Sequence, residues 1–260
     1  MDIGFIGVGH MASSILFALS KNKTNHFFIN DIDGNKTNSI LNQLTNQVNI
    51  STYQEIFDKC TYIFLGVKPV DLTNLLIEIK DYIKDQIIIS MVAGFNISEI
   101  TKIIKNIKII RIMPNTPVIV SSGVTFMTSY NVNQVQINEF KTIYQETGKL
   151  YEIEENKMNV VSVLTGSAPA YLDYYLDALS EFGVKHGFTK EESNQYILEM
   201  ALGVILLNLN SNKSIKELAD EVCSPRGSTI EGVNVLLNSD LYKIVDKATN
   251  ASFEKNKKMF

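Results

Sequence analysis

The chain has 260 residues, 45% of them hydrophobic, and a mean hydropathy of +0.03, which is the composition of a globular protein with one large domain or two ordinary ones. Its formal net charge of −4 gives no basic excess for nucleic acid, and no apolar run approaches the ~20 residues of a membrane span. The two cysteines and three histidines are scattered, so no metal site is expected. The chain opens without the basic leader of a signal peptide, and we expect a cytoplasmic protein that binds neither membrane nor nucleic acid.

The first predicted unit is a strand, a tight turn and a helix. An apolar run over residues 3–6 is followed at once by the pattern Gly-x-Gly-x-x-Ala. Gly7 would permit the turn, Gly9 would let a pyrophosphate approach the backbone, and Ala12 would keep the helix close to the strand. The free N–H groups at the helix N-terminus would bind the phosphates. An ordinary βα turn that holds two glycines is the alternative.

Short strands and helices then alternate, which predicts a doubly wound, mostly parallel α/β sheet of the Rossmann type. The apolar runs that predict further strands are residues 27–29, 62–67, 86–92, 107–113, 123–127 and 150–153. The segments with helical spacing are residues 37–44, 72–83, 98–104 and 133–146.

From about residue 155 onward only helical patterns are found. The predicted helices are residues 160–186, 190–209, 215–222, 229–237 and 241–257. We therefore expect two domains, a dinucleotide-binding Rossmann domain over residues 1–154 and an all-helical domain over residues 155–260. No Pro/Gly-rich linker separates them, so tight packing is expected.

The first long helix of the second domain carries apolar residues on more than one side. Leu172 and Tyr175 belong to this set, and a helix that is apolar on most sides must be buried all round. It is either the centre of one monomer or, as we expect, packed against the helices of a partner subunit. At the end of the chain Lys255, Lys257 and Lys258 predict a solvated helix terminus.

The end of the second strand lies about 20 residues after the glycine pattern, where a residue that contacts the cofactor ribose belongs. Asn30 and Asp31 occupy this place. The Asp31 carboxylate can accept hydrogen bonds from both ribose hydroxyls of NAD and would repel a 2′-phosphate, and no basic residue follows before Lys36. The cofactor is therefore NADH or NADPH, and we favour NADH. A polar turn without a ligand is the alternative.

Two further strand ends offer candidate cofactor contacts, because ligands of such sheets bind beyond the carboxyl ends of the strands. Lys68 follows the central strand and would contact the cofactor or a carboxylate, unless it is a solvated lysine before the helix-starting Pro69. Asn115 lies between Pro114 and Pro117, which would hold this loop stiffly against the nicotinamide edge. Rigidity without ligand contact explains the prolines equally well.

The most informative part of the second half is residues 224–229. Ser224 and the proline after it would end one helix, Gly227 would allow a sharp turn, and Ser228 and Thr229 would begin the next helix. Free N–H groups and hydroxyls would then form an anion site at a helix N-terminus. An ordinary capped turn between two helices is the alternative.

Five stretches, in this order, resemble the pyrroline-5-carboxylate reductase family. They are Gly-Phe-Ile-Gly-Val-Gly-His-Met-Ala at 4–12, Gly-Val-Lys-Pro at 66–69, Arg-Ile-Met-Pro-Asn-Thr-Pro at 111–117, Leu-Thr-Gly-Ser-Ala-Pro-Ala-Tyr at 164–171 and Ser-Pro-x-Gly-x-Thr at 224–229. The resemblance implies an enzyme that reduces 1-pyrroline-5-carboxylate, a cyclic imino acid, to L-proline in proline biosynthesis. It also implies a helical domain that interlocks with its partner in a homodimer, with rings of dimers in some members.

The resemblance also implies roles for individual residues. Ser224 and the backbone of Gly227, Ser228 and Thr229 would hold the substrate carboxylate, and the Thr229 hydroxyl would bind the ring nitrogen as the catalytic group. The residues that would contact the cofactor are Ile6, Gly7, Val8, Gly9, His10, Met11, Gly66, Val67, Lys68, Pro69 and Ala93.

Three positions depart from the family pattern. The family usually has glycine at the positions of Ala168 and Arg226, and bacterial members often end the second strand with Asn-Arg, where this chain has Asn-Asp. The last difference removes a partner for a 2′-phosphate and favours NADH. The alternatives to the expected activity are reduction of another small imine or β-hydroxy acid, and a non-catalytic dinucleotide-binding regulator, which Ala168 and Arg226 would favour.

Overall fold

The computed structural model describes residues 1–257, so the predicted lysine at position 258 lies outside the described residues. The chain divides into two compact units. The first comprises Met1–Gly166 together with the described residues from Phe253 onward, and the second comprises Ser167–Ser252.

The first unit is built on one eight-stranded sheet. Its strands are Asp2–Ile6 (β1), His26–Asn30 (β2), Val48–Ile50 (β3), Tyr62–Leu65 (β4), Ile87–Ser90 (β5), Lys108–Met113 (β6), Gly123–Tyr130 (β7) and Gly148–Glu152 (β8). The strand order is β3-β2-β1-β4-β5-β6-β7-β8, and every neighbouring pair is parallel except β6 and β7. The predicted doubly wound, mostly parallel sheet is therefore confirmed.

Helices cover both faces of this sheet. They are His10–Leu19 (α1), Gly34–Gln43 (α2), Tyr53–Lys59 (α3), Pro69–Ile79 (α4), Ile97–Ile103 (α5), Gln134–Tyr144 (α6) and Met158–Val161 (α7). On one face Phe64 of β4 packs with α1 and α6 residues, whereas its neighbour Ile63 packs with α3, α4 and α5 residues on the other. All four residues of β4 are buried, because a parallel strand with helices on both faces must be apolar throughout.

The second unit consists of helices. They are Ala168–Lys185 (α8), Lys190–Leu209 (α9), Ile215–Val222 (α10), Ser228–Asn238 (α11) and Leu241–Lys257 (α12), the last of which runs on into the residues grouped with the first unit. Of residues 167–252, Ser180 and Ser193 alone are buried, and the Ser193 hydroxyl donates to the Ser180 carbonyl at 2.7 Å. Among residues 1–257, no helix combines the length and the apolar character needed to cross a membrane.

Two segments differ from the prediction. The single helix expected over residues 160–186 is α7, a π-helix over Ser162–Ser167, and then α8. The Asn115 side-chain amide donates to the carbonyl of Thr165 at 3.2 Å, inside this wider turn, which gives that carbonyl a partner outside the helix. The sequence also did not predict β3 and α3. The strand β3 has 3 residues at the sheet edge with only Val48 buried, and the helix α3 has only 7 residues, of which Ile56 and Phe57 are buried.

Candidate functional site

The glycine-rich turn after β1 packs directly against the end of β4. Gly7 has a positive φ of 83°, and a Cβ on it would lie 2.8 Å from the Gly66 carbonyl carbon. A Cβ on Gly66 would in turn lie 2.5 Å from the Cβ of Ala12. Three small residues therefore bring β1, β4 and the first turn of α1 into contact, which no larger side chain at Gly7 or Gly66 would allow.

The N-terminus of α1 is open. Gly9 is its N-cap, with φ −64° and ψ 179°, and no side chain caps the first turn. A Cβ on Gly9 would meet only the Gly66 carbonyl oxygen, at 3.6 Å. His10 is exposed and Met11 half-buried. The free N–H groups of this turn, in the field of the helix dipole, fit the pyrophosphate of a dinucleotide.

The predicted ribose-binding residue is tied to the glycine-rich turn. Asp31 accepts the Val8 N–H on Oδ2 at 2.8 Å and the Asp33 N–H on Oδ1 at 2.9 Å. Its neighbour Asn30 accepts the Gly7 N–H at its carbonyl, 2.8 Å away, and donates from its amide to the Ser51 carbonyl at 2.8 Å. Each carboxylate oxygen keeps a second lone pair for a ribose hydroxyl, so the end of β2 both shapes the turn and fits the predicted contact.

The other predicted cofactor residues line the carboxyl ends of neighbouring strands. Gly66 and Val67 follow β4 and are half-buried. Lys68 comes next as the exposed N-cap of α4, and Pro69 is the first residue of that helix. Ala93 follows β5, is half-buried, and precedes Gly94, whose φ is 84°.

Asn115 is the predicted site residue most engaged inside the fold. Its side chain is 7% exposed, its Oδ1 accepts the Val124 N–H at 2.8 Å, and its amide bonds Thr165 as described above. The amide therefore fixes the loop between β6 and β7, and its predicted cofactor contact stays a prediction.

An ion pair between a buried arginine and a half-buried glutamate lies near the end of β6, and the sequence did not predict it. Arg111 donates from Nη1 to Oε1 of Glu155 at 3.1 Å, and its Nε has no hydrogen-bond partner. The pair borders a cavity of about 340 Å³ that is also lined by Gly94, Asn96 and Ser98. The available signal was an arginine between two isoleucines inside a predicted buried strand, since burial of an unpaired guanidinium is strongly unfavourable.

In the second unit, residues 224–229 form a tight turn that opens α11. The Gly227 N–H donates to the Ser224 carbonyl at 2.9 Å, and Gly227 is the N-cap of α11 without any side-chain cap. A Cβ on Gly227 would overlap the Ser224 hydroxyl. The left-handed residue of the turn is Arg226, with φ 67°, whereas Gly227 has an extended φ of −78°. Ser228 and Thr229 are exposed at the helix start, so their N–H groups are available to an anion.

The structure thus brings the predicted residues into two groups. Gly7, Asn30, Asp31 and Gly66 meet around the turn after β1, and the predicted substrate residues form the single turn before α11. Within the part of the chain that the structure describes, no three His, Cys, Asp or Glu side chains are placed to hold a metal ion.

Comparisons with known proteins cover the whole chain. The family model for pyrroline-5-carboxylate reductase dimerisation matches residues 155–259, and the model for coenzyme F420-dependent NADP oxidoreductases matches residues 2–94. A pyrroline-5-carboxylate reductase of Aquifex aeolicus is 31% identical over 265 residues, which cover 100% of this chain and 97% of that protein.

Solved structures give the same result. The Plasmodium falciparum pyrroline carboxylate reductase, a structure with NADP bound, matches with a TM-score of 0.90 and 28% identity over 100% of this chain and 98% of that one. A 1-pyrroline-5-carboxylate reductase from Streptococcus pyogenes matches with a TM-score of 0.89 and 29% identity, covering 99% of this chain and 98% of the other.

Proposed function

The chain belongs to the pyrroline-5-carboxylate reductase family, and we propose that it reduces 1-pyrroline-5-carboxylate to L-proline, the last step of proline biosynthesis. The observation that carries this proposal is the turn over residues 224–229. It carries the most specific family motif and leaves the first N–H groups of α11 without a side-chain cap. Such a helix start binds a carboxylate through hydrogen bonds and the helix dipole.

The substrate residues act by binding and orientation. Ser224 and the N–H groups of Gly227, Ser228 and Thr229 hold the ring carboxylate. The Thr229 hydroxyl orients the ring nitrogen, either by accepting the N–H of the protonated imine or by relaying a proton to the neutral imine. A protonated imine needs no strong general base, so orientation of the reacting groups supplies much of the acceleration.

The residues around the turn after β1 hold the dinucleotide, whose nicotinamide supplies the hydride when bound. Gly7, Gly9 and the start of α1 take the pyrophosphate, and Asn30 and Asp31 take the adenosine ribose. Met11, Lys68 and the other predicted contacts, including Ala93 and Asn115, complete the site. Because the Asp31 carboxylate would repel a 2′-phosphate, we expect NADH to be preferred over NADPH.

We propose a homodimer because large apolar side chains of the helical unit are exposed. Most of the large apolar residues of α9 are exposed, among them Leu198, Leu202 and Leu209 at 58%, 58% and 76%. Because this unit buries only two serines of its own, the same helices of a second copy are the natural cover for these side chains. We propose a Rossmann domain over residues 1–154 and a dimerisation domain over residues 155–260, with larger rings as a further prediction.

A substrate panel tests the proposed activity. The protein should oxidise NADH when 1-pyrroline-5-carboxylate is added, and faster than with NADPH. Stronger turnover with another cyclic imine, or oxidation of a 3-hydroxy acid, would indicate a related reductase instead. Tight dinucleotide binding without turnover of any of these would indicate a regulator. A strong preference for NADPH would contradict the role given to Asp31.

A further inference from the structure

Lys36 lies beside the carboxylate that is expected to exclude NADPH. Its Nζ is 3.8 Å from Oδ1 of Asp31 and 4.0 Å from Oδ2 of Asp33. The Asp31 side chain is 7% exposed, whereas the Lys36 side chain is 49% exposed. The ammonium group therefore lies at the surface of the site, and the carboxylate lies beneath it.

The two carboxylates at the end of β2 both accept hydrogen bonds from the backbone. Both Asp31 oxygens accept backbone N–H groups, and Asp33 accepts the Asn35 N–H as the N-cap of α2. The partial positive charges of these N–H groups offset part of the negative potential of the carboxylates. Lys36 supplies the one full positive charge of this cluster.

Space for an additional group is open next to Lys36. A cavity of about 310 Å³ lies between α1 and α2, and Lys36 lines it together with Asn35, Ser39 and Gln43, three side chains that can donate hydrogen bonds. A phosphate on the ribose 2′-oxygen, the oxygen expected to face Asp31, would lie within reach of the Lys36 ammonium group.

We propose that Lys36 is a specificity-determining residue of the dinucleotide site, which allows the protein to accept a 2′-phosphate in spite of Asp31. This inference rests on the proposed dinucleotide-binding function. On binding of a 2′-phosphorylated cofactor, the Lys36 side chain exchanges its ion pair with Asp31 for one with the phosphate. The protein then binds NADH moderately more tightly than NADPH and does not exclude NADPH.

The test compares two unreactive ligands that differ only in the 2′-phosphate, adenosine 5′-monophosphate and adenosine 2′,5′-bisphosphate. Their dissociation constants would be measured by calorimetry for the natural chain, Lys36→Ala and Lys36→Arg. The control is Lys84→Ala, since Lys84 forms a comparable exposed ion pair with Asp58 at 3.6 Å. Lys36→Ala should weaken binding of the bisphosphate about tenfold and that of the monophosphate less than twofold. Lys36→Arg and Lys84→Ala should leave both constants within about twofold of the natural chain.

Equal binding of the bisphosphate by Lys36→Ala and the natural chain would overturn the proposal. Equal weakening of both ligands would also overturn it, since that result describes a general loss of the site. Oxidation of NADH with 1-pyrroline-5-carboxylate is measured in parallel. If the natural chain shows no such activity but Lys36→Ala still loses the bisphosphate selectively, the proposed reaction fails and the role of Lys36 stands.

Discussion

Arg111 and Glu155 connect β6 to the segment that follows β8. Arg111 is 3% exposed and donates to a Glu155 oxygen that also accepts the N–H of Ile97 at 2.7 Å. One carboxylate thereby holds the start of α5 and the buried guanidinium together. The bond joins residues 44 positions apart in the chain, and it therefore fixes the segment after β8 to the side of β6.

Removal of the Glu155 carboxylate should destabilise the first unit. Glu155→Ala leaves a buried guanidinium without its counter-ion, and we expect the free energy of unfolding in urea to fall by about 2 kcal/mol. The loss is smaller than for a fully buried pair because Glu155 is itself partly exposed. Glu154→Ala is the matched control, since Glu154 forms only an exposed pair with Lys157 at 3.7 Å. Equal stability of the two variants would contradict the structural role of the buried pair.

The two glycines of the first turn should respond differently to alanine. Gly9→Ala should leave thermal stability unchanged or slightly raised, because the backbone is in a region open to alanine and the added Cβ has room. It should nevertheless weaken NADH binding at least about tenfold by blocking the pyrophosphate. Gly7→Ala should lower stability by about 1–3 kcal/mol, because of its positive φ and its contact with Gly66. The fluorescence of NADH itself reports its binding, and calorimetry reports unfolding.

Loss of the Thr229 hydroxyl should slow turnover without loss of the fold. Thr229→Ala should lower kcat by roughly 10²-fold if the hydroxyl assists proton transfer, whereas Thr229→Ser should keep most of the activity. Thr142→Ala removes a hydroxyl that donates to the Asn138 carbonyl at 3.0 Å on the exposed face of α6, and this variant should behave as the natural chain does. Unchanged kinetics in Thr229→Ala would remove this residue from the mechanism.

Arg226 should be a site at which glycine stabilises the protein. Its φ of 67° is unfavourable for a side chain, so Arg226→Gly should raise the free energy of unfolding by about 0.5–1 kcal/mol after the greater flexibility of glycine is subtracted. Arg226→Ala keeps the unfavourable φ and should not stabilise the chain. Thermal unfolding of both variants separates the backbone effect from that of the guanidinium.

Cys60 should be unreactive until the first unit opens. Burial, reinforced by the charge of Asp2, raises the pKa of its thiol to about 12. In the unfolded chain the pKa of a cysteine thiol is about 8.5. Protonation of Cys60 therefore contributes its full stabilisation below that pH, and the contribution is lost as the pH rises towards the folded-state pKa.

Reaction with an aromatic disulfide reagent at pH 8.5 measures this protection. In the variant Cys223→Ser, which leaves Cys60 as the chain's remaining thiol, labelling should be at least roughly 100-fold slower in buffer than in urea. Rapid labelling in buffer would show that α3 and β4 separate readily.

Much of the first unit was predictable because its central strands carry continuous apolar runs. A run such as Ile63–Leu65 arises wherever helices cover both faces of a sheet, and it is visible without knowledge of the partners. β3 has 3 residues at the sheet edge and buries only one of them, so it leaves no comparable pattern. The helices of the second half were predicted by periodicity, but the π-helix at Ser162–Ser167 was not, since the Asn115 amide that bonds the Thr165 carbonyl comes from a distant part of the chain.

The candidate sites show a similar division. Motifs indicated where the phosphate-binding turn and the late helix start would lie, because glycine spacing and strand ends are local properties. They did not indicate that Asp31 bonds the Val8 N–H, or that Arg226 and not Gly227 adopts the left-handed conformation. The pairing of Arg111 with Glu155 was equally hidden, since it depends on how distant segments pack.

The helical unit, in which Ser180 and Ser193 alone are buried, also has a consequence for how the protein is made. A newly synthesised chain can complete the sheet around β4 by itself, but its second half gains little by folding alone. In the proposed homodimer, the stability of that half is a bimolecular quantity that obeys mass action. Dilution should unfold α8–α12 before it affects the sheet. In the cell, dissociated chains with an unfolded helical unit would be the form that proteases and chaperones meet first.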